Sequence, residues 1–322
     1  MNSEEKLLAR LLFTVKIHRS TGYAFEQLFA QVMQYSRPNY LRIRPYGNEG
    51  DRGNDGYEKE HGRYFQIYSP LEPSKVSTVR NAVNKLKEDF KDKLLPYWHK
   101  LCEVKEYYFV FNDKYDGVPA CVEEALLGLS IEHKLRCSRV YLAKDLEDEL
   151  FALQEDKISF IAGSFPEIES NTVLDYRILK EVLDHIQNTP PNLNRKENIV
   201  VPDIEDKIRF NGLTYCGLYL KAKQLEVWQL DDYFSRNSEF TKQALRESLA
   251  GYYAESLENF PEKTDHIGRN IGDLRFLYIL DKIAPSINKP AVDRLRFDAG
   301  LVIMAKYFET CDIFEKPLYA SN

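Results

Sequence analysis

Three side chains of this sequence carry oxygen atoms at spacings that suit a hard divalent cation: Glu26, Asp55 and Gln66. Glu26 falls in a helical stretch, Asp55 opens a strand, and Gln66 lies in the following strand, eleven residues later. A helix, strand, strand order lets such groups meet at one edge of a twisted sheet. Two carboxylates and an amide carbonyl there would offer the oxygen ligands that Mg²⁺ prefers, and Mn²⁺ accepts the same donors. The backbone carbonyl of Ile67 is a further donor within reach. A cation so held would activate water and neutralise charge on a scissile phosphate, so the chemistry in view is metal-dependent phosphodiester hydrolysis.

The elements that must position these groups are legible from apolar spacing. Leu7, Leu8, Leu11, Leu12 and Val15 predict an opening helix, and Tyr23, Phe25, Leu28, Phe29, Val32 and Met33 predict a second that carries Glu26. Residues 40–45 read as a short strand ended by Pro45, and residues 47–57 as a glycine-rich turn into the strand that Asp55 opens. Arg63 to Tyr68 make a third strand. Val79, Val83, Leu86, Phe90 and Leu94 then keep the rhythm of an amphipathic helix, with Lys85, Lys87, Asp89 and Lys91 assigned to its other faces. An apolar strand over 106–112 follows, extended by helices over 118–129 and 146–153 and a strand over 139–141. The result is an α/β domain, a mixed central sheet flanked by helices, over residues 1–165. Beyond a turn-rich stretch at 188–194, helices at 204–210, 213–223, 230–236, 240–257, 274–284 and 292–309 make residues 170–322 a mainly α-helical domain.

Composition bounds the reading. A chain of 322 residues with 43% hydrophobic and 29% charged residues has room for two ordinary cores. The net charge of −6 averages two unlike parts: residues 1–110 hold 18 Lys+Arg against 14 Asp+Glu, so only the N-terminal part suits a phosphate backbone. The five cysteines, Cys102, Cys121, Cys137, Cys216 and Cys311, include no C-x-x-C pair, which fits free thiols in a reducing compartment. No apolar run approaches the roughly 18 residues of a membrane span, and residues 1–8 start charged without a cleavable apolar core, so a soluble cytoplasmic protein is expected.

Rival motifs fail on spacing. A calcium loop beginning at Asp51 would need an acid at its twelfth position, which is Gly62. No glycine of the tract precedes Lys-Ser or Lys-Thr, so a phosphate-binding loop is absent. His99 and Cys102 stand three apart beside Trp98 and Leu101, where packing is the expected role. Asp51, Gly53, Asn54 and Gly56 read as turn formers.

The order of Glu26, Asp55 and Gln66 resembles the PD-(D/E)XK nuclease superfamily, the restriction-endonuclease-like fold. Its core pattern is a helix with Glu, a strand starting with Asp and a strand reading (D/E/Q)-x-K; the likeness covers roughly residues 20–115. Here the third element reads Gln66-Ile67-Tyr68, without the lysine. Some members move that lysine to the next helix, which implies Lys85 as the catalytic cation, with Lys75 and Lys87 in competition. The words Gly22-Tyr23-Ala24-Phe25-Glu26, Arg44-Pro45-Tyr46-Gly47 through Gly56-Tyr57, Phe65-Gln66-Ile67-Tyr68-Ser69-Pro70 and Phe109-Val110-Phe111-Asn112-Asp113 resemble nuclease-like domains of bacterial antiphage systems.

In the second half, Lys207-Ile208-x-Phe210-Asn211-Gly212-Leu213 together with Cys311-Asp312-Ile313-Phe314-Glu315-x-Pro317 resembles the C-terminal domain of effector subunits of ABC-three component systems, related to Lamassu defence, over 170–322. The resemblance implies a DNA endonuclease effector held inactive by an SMC-like ABC ATPase and a small middle component. It would act on double-stranded DNA once foreign DNA is sensed, as a homo-oligomer when active. A catalytically inactive DNA-binding or scaffolding subunit of the same kind of complex is the alternative. Phe314 is expected either to anchor a partner or to close the domain's own core.

Overall fold

The computed structural model describes residues 1–163, 173–192, 203–237, 242–262, 268–287, 289–309 and 313–315. The expected boundary between 165 and 170, and Thr310, Cys311, Asp312 and Pro317 of the C-terminal motif, lie outside the described residues. The chain forms two compact units, one of residues 16–161 and one that joins residues 1–15 to 162–322.

The 16–161 unit is built on a five-stranded sheet, β1 (Tyr40–Arg42), β2 (Gly56–Glu58), β3 (Arg63–Tyr68), β4 (Glu106–Phe111) and β5 (Cys137–Tyr141), in that spatial order. β1, β2 and β3 form an antiparallel meander, whereas β3, β4 and β5 are parallel and joined through helices. The helices are α1 (Ser3–Arg19), whose second part belongs here, α2 (Tyr23–Ser36), α3 (Val76–Glu88), α4 (Leu95–Leu101), α5 (Ala120–His133), α6 (Ala143–Phe151) and α7 (Glu155–Ala162). β4 is flanked by strands and covered on both faces, which accounts for its nearly unbroken apolar run. Tyr64, Tyr107, Phe109 and Phe111 pack with Ala82, Leu86, Phe90, Val122 and Leu126 under α3 and α5. On the opposite face Phe65 meets Phe29 of α2 and Tyr40 of β1, at ring separations of 5.7 Å each. Side chains two apart in a strand share a face, so Gln66 lies on the α3 side with Tyr64.

The amphipathic helix expected over 76–94 is interrupted. Between α3 and α4 the segment Asp89–Leu94 is π-helical. Pro96 has no N–H for the Asp92 carbonyl, and a wider turn absorbs that lost bond. The wider turn brings Asp89, Phe90 and Leu94 inward together. Asp89 is buried, although the sequence reading assigns it with Lys85, Lys87 and Lys91 to the helix's other faces.

The second unit is helical: α8 (Tyr176–Asn188), α9 (Ile204–Phe210), α10 (Cys216–Gln224), α11 (Val227–Arg236), α12 (Lys242–Asn259), α13 (Ile271–Ile283) and α14 (Pro290–Glu309). Leu8, Leu11, Leu12 and Val15 of α1 enter its core beside Leu179, Leu220, Leu277 and Val302. The first fifteen residues therefore pack with the C-terminal helices, not with the sheet as a continuous first domain requires. Apolar periodicity shows that a stripe will be buried and is silent about which core receives it. α8 goes unread in the sequence, although Leu179, Val182, Leu183 and Ile186 form its buried stripe. No helix of the described residues is long and apolar enough to cross a membrane.

Candidate active site

Asp55 stands one residue before β2. Its backbone N–H donates to the Phe65 carbonyl at 3.0 Å, which carries the pairing with β3 one step past the strand. The carboxylate is thereby delivered to Gln66 and Ile67. Asp55 Oδ2 accepts the Ile67 N–H at 2.6 Å and Gln66 Nε2 at 2.9 Å. Gly56 leaves room for this, since a Cβ there would stand 2.3 Å from the Tyr40 hydroxyl. The N–H and C=O of one strand residue point the same way, so the Ile67 carbonyl also faces the Asp55 side.

Asp55 is only 6% exposed. Burial pushes its carboxyl up to about 8; the bond from Ile67 and the charge of Lys85 act against that shift, while Asp51 and Glu26 add to it. The Gln66 carbonyl oxygen beside it is buried and has no hydrogen-bond partner. Leaving such an oxygen unpaired costs about 1–3 kcal/mol.

The remaining candidates surround this pair unequally. Glu26 accepts Arg42 Nη2 at 2.6 Å, and the Arg42 guanidinium lies 5.5 Å from the Tyr23 ring. Lys85 Nζ lies 2.5 Å from Asp89 Oδ2, and its charge reaches Asp55. Lys75 pairs with Glu72 at 2.9 Å in solvent, and Lys87 is exposed. Neither of the two lysines is among the charges acting on Asp55.

Asp89 was missed as a site residue. Its other oxygen lies 2.5 Å from Lys93 Nζ, so one buried carboxylate grips two lysines. The signal was its place three residues after Leu86, on the buried stripe. Tyr107 completes the surroundings: its buried hydroxyl has no partner and is pushed up by burial and by the charges of Asp89 and Asp55.

Among the described residues no three His, Cys, Asp or Glu side chains gather as metal ligands. A cation here would therefore rest on Asp55, with Glu26 near, and take its other donors from amide and backbone oxygens. The unpartnered Gln66 carbonyl and the Ile67 carbonyl are of the right type for Mg²⁺ or Mn²⁺. The turn residues keep local roles: Asp51 Oδ1 accepts the Gly53 N–H at 2.7 Å and Asn54 Oδ1 the Gly56 N–H at 3.1 Å. His99 Nδ1 accepts the Val104 N–H and Cys102 Sγ donates to the Lys59 carbonyl, consistent with a packing role for both.

In the helical unit the two C-terminal sequence words fold onto each other. Asn211 Nδ2 donates to the Glu315 carbonyl at 2.8 Å, and the Glu315 N–H donates back to Asn211 Oδ1 at 2.9 Å. Lys207 Nζ donates to the Phe308 carbonyl at 2.9 Å and lies 4.6 Å from the Phe308 ring. Ile313 and Phe314 are buried, with the Phe314 ring 4.8 Å from Tyr253 and 5.5 Å from Phe308. Of the two roles expected for Phe314, the packing role fits this arrangement.

Residues 177–315 match the family model of C-terminal domain 10 of the ABC-three component (ABC-3C) systems. The match takes in the first word and the second as far as Glu315, and supports a place for the chain in such a multi-component system. No curated protein and no solved structure matches the chain.

Proposed function

We propose that the chain is the effector of an ABC-three component antiphage system, in which the 16–161 unit is a Mg²⁺-dependent DNA endonuclease and the helical unit docks it to its partners. The observation that carries this reading is the buried, unpartnered Gln66 carbonyl beside a buried carboxylate. A cation would satisfy the first and lower the pKa of the second. When bound, it would supply water activation and charge neutralisation at the phosphate. Asp55, Gln66, the Ile67 carbonyl and Glu26 would hold it. Lys85 would bring a positive charge to the developing phosphoryl charge, with Asp89 fixing its ammonium. An SMC-like ATPase and a small middle component would keep the effector silent until foreign DNA is sensed. The Lamassu relation and assembly into an active homo-oligomer belong to the same proposal.

Nicking of supercoiled plasmid tests it. The full chain, at protein concentrations high enough for assembly, is expected to nick with Mg²⁺ or Mn²⁺ and not with EDTA. Asp55→Asn, which keeps the shape and removes the anion, should lower the rate by about 10²–10³-fold with folding unchanged. Undiminished cleavage by a folded Asp55→Asn chain would sink the assignment.

A specific observation favours the second reading, an inactive nuclease-like subunit that binds DNA or acts as a scaffold. Glu26 is neutralised by Arg42, and Lys85 is shared with Asp89. DNA binding without cleavage under every metal tested would establish it.

A further inference from the structure

A cleft of about 420 Å³ opens beside the turn that leads to Asp55, between that turn and the π-helical segment. Its walls carry three cations, Arg52, Lys93 and Lys100, against two acids, Glu49 and Asp92, with the ring of Tyr97 between them.

Two of the cations are held in place. Arg52 pairs with Glu49, and its guanidinium lies 4.1 Å from the Tyr97 ring centroid. Its backbone sits in the left-handed region at φ 57, a conformation arginine adopts only where its surroundings impose it. The next residue shows what imposes it: Gly53, at φ 75, packs so tightly that a Cβ would lie 2.6 Å from the Asp89 carbonyl oxygen. Trp98 Nε1 donates to the Asp51 carbonyl and fixes the turn from the other side. Lys93 is anchored on Asp89, the carboxylate that also grips Lys85. Lys100 is exposed and makes no ion pair among the described residues. A guanidinium stacked on a ring and a solvent-facing ammonium together suit an anion with several oxygens.

We propose that this cleft is a phosphate subsite for the nucleic-acid strand, seating a backbone phosphate a few nucleotides from the one at Asp55. Arg52 is three residues from Asp55, so their Cα atoms stand at most about 11 Å apart. A separation of that size lies within a short run of one nucleic-acid strand. The inference rests on Asp55 facing a nucleic acid and does not require that the phosphate there be cut.

The test measures binding apart from cleavage. The full-length Asp55→Asn chain, in EDTA, is titrated onto a short labelled duplex by fluorescence anisotropy from about 50 to 200 mM salt. Lys100→Ala and Lys93→Ala are added singly, with Lys144→Ala on α6 as the control. Each cleft variant should bind more weakly at low salt and lower the slope of log K against log salt by about 0.9, the value of one lost phosphate contact. Lys144→Ala should leave the slope unchanged.

Wild-type slopes in both cleft variants would overturn the subsite while leaving the nuclease reading standing. Cleft-dependent binding, with no metal-dependent cleavage by the unmodified chain, would overturn the nuclease reading and keep the subsite. Absence of duplex binding at any salt would overturn the subsite. Displacement of the duplex by millimolar inorganic phosphate at constant ionic strength would assign the cleft to a free anion instead.

Discussion

Asp55 and Asp273 are both buried carboxylates pushed up by burial, yet their surroundings differ in kind. Asp273 accepts the backbone N–H groups of Tyr215 and Cys216 at the start of α10, at 2.9–3.2 Å. Its oxygens complete a helix N-terminus, whose first N–H groups have no partner within the helix. Asp55 accepts one backbone N–H and one amide, whose carbonyl oxygen has no hydrogen-bond partner. Two lysines differ in exposure: Lys223 is buried between Asp298 and Glu226 at 2.7 and 2.8 Å, while Lys85 is partly exposed and shares its single carboxylate with Lys93. Burial of a charge therefore does not by itself separate chemistry from architecture. What separates Asp55 from Asp273 is whether the groups that hold the carboxylate are themselves satisfied.

If the helical unit is architecture, its last described residues should act through stability. Phe314→Ala should cost about 3–5 kcal/mol, the usual loss for a large aromatic in a core, and the melting temperature should fall. Binding to the ATPase complex, measured where the variant is still folded, should be normal. Unchanged melting with lost partner binding would reverse the comparison and make Phe314 an anchor.

If the sheet unit holds chemistry, its lysine should act through rate. Lys85→Met should lower cleavage by about 10²-fold while melting and Mg²⁺ binding stay nearly constant, and Lys75→Met and Lys87→Met should cleave normally. Loss of activity in Lys75→Met or Lys87→Met, with Lys85→Met active, would move the role to that neighbour.

A pH titration sharpens the comparison at Asp55 itself. Its folded carboxyl, raised to about 8, holds a proton that the unfolded chain releases near pH 3.8. Stability from this group is full below pH 3.8 and drains away as pH rises through the window up to 8, by at most about 1.4 kcal/mol per pH unit. Asp55→Asn does not titrate. Its stability advantage in EDTA should grow across that window and then level off, and Mg²⁺ should erase it by favouring the ionised form. A difference that stays flat with pH, read by thermal unfolding, would mean that burial does not hold the Asp55 carboxyl protonated in the folded chain.

Much of the candidate site could be read from spacing. Glu26 and Gln66 sit on elements whose periods of 3.6 and 2 are regular, so their faces follow from counting, and Asp55 stands one residue before β2. Asp89 is misread because its charge assigns it away from the apolar stripe, although its place three residues after Leu86 puts it on the buried face. The partner of Glu26, Arg42, comes from another element, which apolar patterns do not encode, whereas Lys85 and Asp89 have the i,i+4 spacing of a helical ion pair. The clasp between Asn211 and Glu315 joins residues 104 apart; both words were visible, but their contact is a property of the fold.

The division of α1 has a consequence for how the protein is made. Residues 1–15 belong to a core completed by chain that emerges after the sheet unit, which is encoded between them. The sheet unit can fold on its own during synthesis, as domains generally do, while the N-terminal stripe waits without its partners. Closing so long a loop adds little thermodynamic cost, because the entropy grows only with the logarithm of loop length, yet contacts this distant in sequence form slowly. The helical unit is thus set to mature after the sheet unit.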